Sequence, residues 1–496
     1  MTGALGASFA QRYAEAALRF VLLVALARLV DPSAFGQFAV AAALVVVPQT
    51  LARSGATAWI VRAESGEAFG VRAPMLLCAG VSFLAGAGIA VAAGPLTRLV
   101  GVPSAAPLLT LFALSFAVLP VEVVFGALLR RRMAFGRLAI IGIVAVVVGG
   151  FLSVGTAAAG WEGRALVLGS LAEQAMIALG CLVAARDGLP LLKQRGADLT
   201  ELAIFSARLG VGNTLGNLGK VVAPLVIGGT LGSAAVGLYD RARRISLVFS
   251  DLVLNAVKPV VLPALAAERR AGRALAGPYE FKLQALSLAA WPFFAGLAIC
   301  AEPAVRLLLG PDWSAAVPLV QVACLFGLPL PYHAADASFL VAAERERAYL
   351  RVQLIAQVVA VAGIVIGARY GVAAAMLGYL GGRTLKAILT SAVLGRALGL
   401  APRRQLAAGG HSALAAVVTA AAAAAALRAA EPVIAAAGGP GALGALLALA
   451  AAGTAGLAAC ALTVLIVGHP ARAALIAAAQ QATGRLGAAR ADARRP

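Results

Sequence analysis

Phe205-Ser-Ala-Arg208-Leu-Gly-Val-Gly-Asn213-Thr-Leu-Gly-Asn217-Leu-Gly-Lys220 is followed, after an apolar run, by Leu238-Tyr-Asp240-Arg241-Ala-Arg243-Arg244-Ile245 and then by Asp251, Asn255 and Lys258, so two segments of membrane length are full of charge. In hydrocarbon a charge near a helix centre costs roughly 2.5 to 3.5 kcal/mol on insertion scales, so such side chains face a bundle interior or a watery cavity. At about 100° per residue Asp240, Arg244, Asp251, Asn255 and Lys258 fall within about 40° of one line on the second segment. Asn213, Asn217 and Lys220 share a face of the first, with Arg208 nearly opposite. The spacing predicts two helices lining an internal aqueous path, with the rest of the chain as its walls.

Composition sets the solvent. Of 496 residues 61% are hydrophobic and 12% charged, and the mean hydropathy is +0.93, far from the balance of a soluble domain. An all-α integral membrane protein is expected. The net charge of +20 does not imply nucleic acid, because the basic residues sit in short gaps between apolar runs rather than on one soluble patch. Cys78, Cys181, Cys300, Cys324 and Cys460 lie singly in or beside apolar runs, and His333, His411 and His469 are scattered. No disulfide framework, metal site, cofactor motif, ATPase loop or hydrolase nucleophile is implied. The first apolar run is long and contains Arg12, Glu15 and Arg19, unlike a cleaved signal, so a retained first helix is expected.

At about 20 apolar residues per crossing, helices are predicted near 8–30, 34–60, 73–94, 105–128, 138–159, 164–185, 201–229, 233–264, 281–301, 314–341, 350–368, 371–395, 411–430 and 440–468, about fourteen in all. The gaps after even-numbered helices hold the basic clusters, among them Arg130-Arg131-Arg132, whereas odd-numbered gaps hold at most one basic residue each. By the positive-inside bias both termini are cytoplasmic. The basic tail with Arg485, Arg490, Arg494 and Arg495 can then touch anionic lipid. Phe35, Phe38, Tyr239 and Trp313 fall at outer helix ends and are expected in an interfacial aromatic belt. Gly327-Leu-Pro329-Leu-Pro331 is the best hinge candidate.

The chain repeats itself weakly. Ser33-Ala-Phe-Gly36-Gln-Phe38 matches Ala234-Ala-Val-Gly237-Leu-Tyr239, and Trp161 to Gly169 resembles Tyr370 to Gly378 at nearly the same offset. Two six-helix lobes, 1–197 and 198–400, related by a pseudo-twofold along the membrane normal, are the expectation, as in transporters built from parallel repeats. Helices 13 and 14 (401–470) and a cytoplasmic tail (471–496) fall outside the repeat.

Ala27-Arg-Leu-Val-Asp-Pro-Ser-Ala-Phe-Gly36, Leu51-Ala-Arg53-Ser-Gly55, Val236-Gly-Leu-Tyr239-Asp-Arg-Ala242, Lys258-Pro-Val-Val-Leu-Pro263 and Leu307-Leu-Leu-Gly310-Pro-Asp-Trp313 resemble, in order and spacing, the polysaccharide transporter family. These are the Wzx-type flippases of lipid-linked oligosaccharide within the multidrug/oligosaccharidyl-lipid/polysaccharide exporter superfamily. The likeness covers about the first 400 residues. It implies two lobes around a central cavity opening alternately to each side of the bacterial inner membrane. It also implies movement of undecaprenyl-diphosphate-linked oligosaccharide to the outer leaflet for O-antigen, exopolysaccharide or capsule synthesis. Membrane lipids are expected partners, with polysaccharide polymerase and export machinery as candidates. The competing readings are a drug or metabolite exporter of the same superfamily and a membrane glycan polymerase, ligase or glycosyltransferase. The basic stripe argues against the first, and the short outer loops against the second.

Under this resemblance a diphosphate needs cavity cations, with Arg as a bidentate fork and Lys as a point charge. Candidate substrate-binding residues are Arg12, Arg19 and Arg53 in the first half, and Arg208, Lys220, Arg241, Arg244 and Lys258 in the second. Asn213, Asn217 and Asn255 are candidate partners of sugar hydroxyls. Coupling to an ion gradient needs a membrane carboxylate, for which Glu15, Glu122, Glu173 and Asp251 qualify, with Glu15, Glu173 and Asp251 as the chosen candidates. Alternatives stand beside each: interfacial anchoring for Arg12 and Arg53, a salt-bridge stripe in which Asp240 or Asp251 neutralises Arg244 and Lys258, helix-joining asparagines, and carboxylates held by an arginine without titrating.

Overall fold

The computed structural model describes residues 15, 17–62, 70–193, 198–254, 261, 265, 268–269, 271–436 and 441–466, and among them the regular elements are all helical. The principal helices are α1 (Ala17–Ala27), α2 (Pro32–Arg62), α3 (Arg72–Leu99), α4 (Ala106–Phe112), α5 (Ser115–Arg131), α6 (Phe135–Ala158), α7 (Glu162–Ala184) and α8 (Leu199–Leu231). There follow α9 (Ser233–Phe249), α10 (Ala276–Ile299), α11 (Asp336–Ala342), α12 (Glu346–Gly367), α13 (Val372–Leu398), α14 (Gly410–Ala436) and α15 (Ala442–Ile466). Helix lies at each of the fourteen expected places. By length and composition eight of the described helices can cross a membrane, nine if the bent pair α4–α5 is one span.

Three expected spans are not the straight helices that periodicity suggests. Residues 105–128 bend by 44° between Phe112 and Ser115, where Leu114, Phe116 and Ala117 donate to carbonyls three residues back instead of four, tightening the turn. The segment 233–264 changes from α-helix to a π turn at Ser250–Leu254, which breaks the 100° register on which the expected stripe from Asp240 to Lys258 relied. The segment 314–341 is broken repeatedly. It runs through helix Val317–Cys324, a 3-10 turn Leu325–Gly327 and a single turn Leu330–His333, then extended backbone at Ala334 before α11.

The chain packs into two compact units, Met1–Ile245 with Leu308–Leu319 and Gln357–Gly382, and Ser246–Leu307 with Val320–Ala356 and Arg383–Pro496. These units are defined by packing and differ from the repeat segments 1–197 and 198–400.

In the first unit glycines let helix backbones touch. A Cβ on Gly36 would collide with the carbonyl of Ser233, and one on Gly237 with the carbonyl of Pro32. Gly36 and Gly237 are 201 residues apart in sequence, as are Pro32 and Ser233. The contact is therefore reciprocal, like an isologous interface inside one chain. The hairpin α6–α7 closes through Gly149 against Gly169, and α12–α13 through Gly363 against Gly378, so Gly169 and Gly378 hold matching places. The aromatics expected at the membrane interface are instead interior: Phe35, Tyr239 and Trp313 are buried and Phe38 is half-buried. Trp313 Nε1 donates to the Ala27 carbonyl at 2.9 Å, its ring meets Phe35 edge-on at 5.6 Å, and the Arg241 guanidinium covers Phe35 at 4.2 Å.

In the second unit α10 packs on α14, where Ser287 Oγ donates to Ser412 Oγ at 2.9 Å. A buried cluster around Tyr279, Leu283, Phe339 and Leu340 joins α10 to α11.

Candidate functional site

In the first unit α2 packs against both α5 and α8, with Val123, Phe125 and Leu128 of α5 buried in the clusters between helices. On α2, Ser54, Thr57, Ala58 and Val61 recur at three- and four-residue spacing and so form one face. That face, with Arg53, Glu122, Val123, Arg130 and Asn213, lines a cavity of about 460 Å³, the size of a small-ligand site. Its centre is an ion pair. Arg53 Nη1 donates to Glu122 Oε1 at 2.5 Å and Nη2 to Oε2 at 3.1 Å, the parallel fork that makes Arg–carboxylate pairs strong. Asn213 Nδ2 donates to Ser54 Oγ at 2.9 Å, and Ser54 Oγ donates to the Thr50 carbonyl at 2.6 Å. Arg130 is exposed at the cavity rim, so two guanidiniums face one carboxylate. The cavity carries an excess positive charge, hydroxyl and amide groups, and no aromatic lining residue among those described.

A second cluster surrounds Arg19. Its Nη2 lies 2.6 Å from Glu173 Oε1 and 3.1 Å from Glu15 Oε1, and its Nε donates to Glu15 at 3.2 Å. Two carboxylates thus share one guanidinium, leaving an excess negative charge. Glu173 is positioned by close packing of α7 on α6, since a Cβ on Gly149 would press on the Glu173 side chain.

The other sequence candidates are dispersed. Arg241 is buried and pairs with Asp240 at 2.7 Å, whereas the salt-bridge alternative has Asp240 or Asp251 neutralising Arg244 and Lys258. Arg244 and Arg208 are exposed, with no ion pair among the described residues. Asp251 is exposed on the π turn. Asn217 and Lys220 belong to α8, but their side chains lie outside the described residues, as do Arg12, Asn255 and Lys258 altogether. Sequence reasoning did not name Ser54, Thr57 or Arg130 for the site and gave Glu122 only as a membrane carboxylate. Arg130 reads there only as part of a cytoplasmic basic run. Glu122 reads as a lone membrane carboxylate, although an acid inside an apolar helix demands a partner, and Arg53 is that partner.

Comparison with known proteins places this geometry in a family. Residues 25–318 match the family described as polysaccharide biosynthesis protein. The succinoglycan biosynthesis transport protein ExoT of Rhizobium meliloti (strain 1021) is 28% identical over 312 residues, 62% of this chain and 62% of that protein. The lipopolysaccharide biosynthesis protein WzxC of Escherichia coli (strain K12) is 24% identical over 384 residues, 76% of this chain and 77% of that one. Among solved structures, the lipid II flippase MurJ in an inward closed conformation aligns with a TM-score of 0.66 at 14% identity, covering 83% of this chain and 92% of that one. An inward-facing MATE multidrug transporter of the MOP superfamily aligns at 0.64 with 15% identity, covering 77% and 94%. These two likenesses show the all-α transporter fold. The family match spans more than half of the chain, and the protein belongs to the polysaccharide biosynthesis protein family of multi-pass membrane proteins.

Proposed function

We propose that the protein moves polyprenyl-diphosphate-linked oligosaccharide units from the inner to the outer leaflet of the bacterial inner membrane by alternating access, acting as a transporter and not as an enzyme. The observation that carries this reading is the basic, hydroxyl-lined cavity at Arg53, Glu122 and Arg130. A diphosphate cannot enter about 30 Å of hydrocarbon without cations to replace its water. Arg53 has five N–H donors, and Glu122 uses two. The remaining donors, with Arg130, can take phosphate oxygens, and Ser54, Thr57 and Asn213 suit sugar hydroxyls. About 460 Å³ suffices for the charged headgroup, while the polyprenyl tail stays in lipid.

Arg19 gives four of its five N–H donors to Glu15 and Glu173, so this cluster, with its excess negative charge, is assigned to ion coupling rather than to phosphate; Asp251 is the other coupling candidate. Arg208 and Arg244, exposed on α8 and α9, remain candidate later contacts along the path, together with Arg12, Lys220, Arg241, Lys258, Asn217 and Asn255. The positive-inside bias supports cytoplasmic termini, and the reciprocal Gly36–Gly237 contact supports two pseudo-symmetric lobes with two additional C-terminal helices. The named relatives take part in succinoglycan and lipopolysaccharide biosynthesis, which favours a glycan cargo over a drug. The test is deletion of the gene. Lipid-linked glycan should accumulate on the inner leaflet and be cleared by the wild-type gene but not by an Arg53→Gln/Glu122→Gln gene; a deletion strain without accumulation would refute the reading.

A further inference from the structure

In the second unit the break in the chain between Leu330–His333 and α11 coincides with buried charge. Pro329 and Pro331 remove backbone donors just before it, Ala334 is extended, and Ala335 sits at φ +57°, a conformation disfavoured for a residue with a side chain. Alanine is the best helix former, so the two residues at the break do not themselves call for it. Tertiary contacts hold it. The Ala334 carbonyl, released from the helix, accepts from Lys282 Nζ of α10 at 3.4 Å. Asp336, the first residue of α11, is buried and accepts from its neighbour Ala337 N at 2.8 Å. Its Oδ2 lies 2.9 Å from Lys386 Nζ of α13. One helical turn earlier on α13, Arg383 Nη2 lies 3.1 Å from His333 Nε2, which accepts because a guanidinium only donates. Lys282 is also buried, over the rings of Tyr279 at 4.5 Å and Phe339 at 5.5 Å.

Lys282 of α10, Arg383 and Lys386 of α13 and His333 of the single turn thus gather at a strained backbone joint, where Lys386 pairs with the Asp336 carboxylate. An arrangement that served stability alone would be matched by apolar packing, since replacing a buried ion pair with apolar groups is often neutral. Strained backbone persists where surrounding contacts over-determine it, and it gathers at switching segments. We propose that the Asp336–Lys386 ion pair is a latch. It holds the joint at Ala334–Ala335 against α13, and its opening lets the segment from Leu328 to Ala342 bend during transport. Lys282, already bonded to the carbonyl at the joint, keeps the joint anchored to α10 while the latch opens. The latch rests on contacts within this unit alone and does not depend on the role of the Arg53 cavity.

The test uses the full-length protein in lipid nanodiscs and the double variant Asp336→Asn/Lys386→Met, which removes both charges of the pair together and leaves Lys282 on the Ala334 carbonyl. It should insert and melt like the wild type. Amide hydrogen exchange over 328–342 should rise by about tenfold or more while α14 and α15 keep their protection. Polysaccharide output from cells carrying the double variant should fall by about fivefold or more, in keeping with a conformational step that limits the rate. Wild-type exchange over 328–342 in the double variant, or wild-type output, would overturn the latch. So would failure of the double variant to fold, which would make the pair a requirement of the fold instead.

Discussion

Arg53 and Arg19 are both membrane arginines near the start of the chain, and their partners give them different parts. Arg53 has one carboxylate and a second guanidinium nearby; Arg19 has two carboxylates. Removing Arg53 alone leaves Glu122 without its fork, and since the pair is partly exposed, a loss of about 1–3 kcal/mol is expected for Arg53→Ala, read as a lower melting temperature. Arg53→Lys should retain partial transport, keeping the charge but not the planar fork. Arg130→Ala, at the exposed rim, should melt like the wild type and still transport several-fold more slowly; an unchanged rate would remove Arg130 from the cation set. Arg241 is different again. It is buried with Asp240, so Arg241→Ala should cost about 3–5 kcal/mol and cut the amount of inserted protein. The charges were legible in the sequence because an ionisable residue in a long apolar run is conspicuous. Their pairing was not, because Arg53 and Glu122 are 69 residues apart and helical periodicity says nothing about which faces of separate helices meet.

At the scale of elements, the turns were more legible than the helix interiors. Gly36 and Gly237 stood out as matching motifs, and the physical cause is the reciprocal crossing of α2 and α9, where any Cβ meets a carbonyl. Gly36→Ala and Gly237→Ala should each destabilise by about 1–3 kcal/mol through overpacking. The double variant should cost less than the sum, because both act on one contact; strictly additive melting shifts would argue against a shared crossing. The break in the 314–341 segment was only partly legible. Its glycine and prolines marked a hinge at 327–331, but the joint itself falls on two alanines, which read as helix. The π turn at Ser250–Leu254 likewise leaves no mark that composition could reveal. Where α5 meets the turn Arg186–Lys193, Arg132 Nη1 donates to Asp187 at 2.6 and 2.7 Å, and this hydrogen bond holds the Asp187 carboxyl below its ordinary value. A depressed carboxylate stabilises above its unfolded pKa and loses that effect as pH falls through the folded value, so this contact should persist at neutral pH and weaken only in acid.

For the whole molecule, hydropathy and alternating basic loops already pointed to a multi-pass protein with cytoplasmic termini. Cysteines placed beside Arg131 and beside Trp313 should label from opposite faces of the membrane, and labelling of both from outside would undo the topology. Family and fold agree with a multi-pass membrane protein, whereas the cargo is a matter of the cavity. The most direct test is therefore translocation by purified protein in proteoliposomes loaded with fluorescent undecaprenyl-diphosphate oligosaccharide, comparing the wild type with a folded, inserted Arg53→Gln/Glu122→Gln variant. The account predicts movement of the labelled lipid to the opposite leaflet by the wild type, and a rate about tenfold or more lower in the variant, equivalent to ~1.4 kcal/mol or more of lost stabilisation. Equal rates in the two proteins would contradict it.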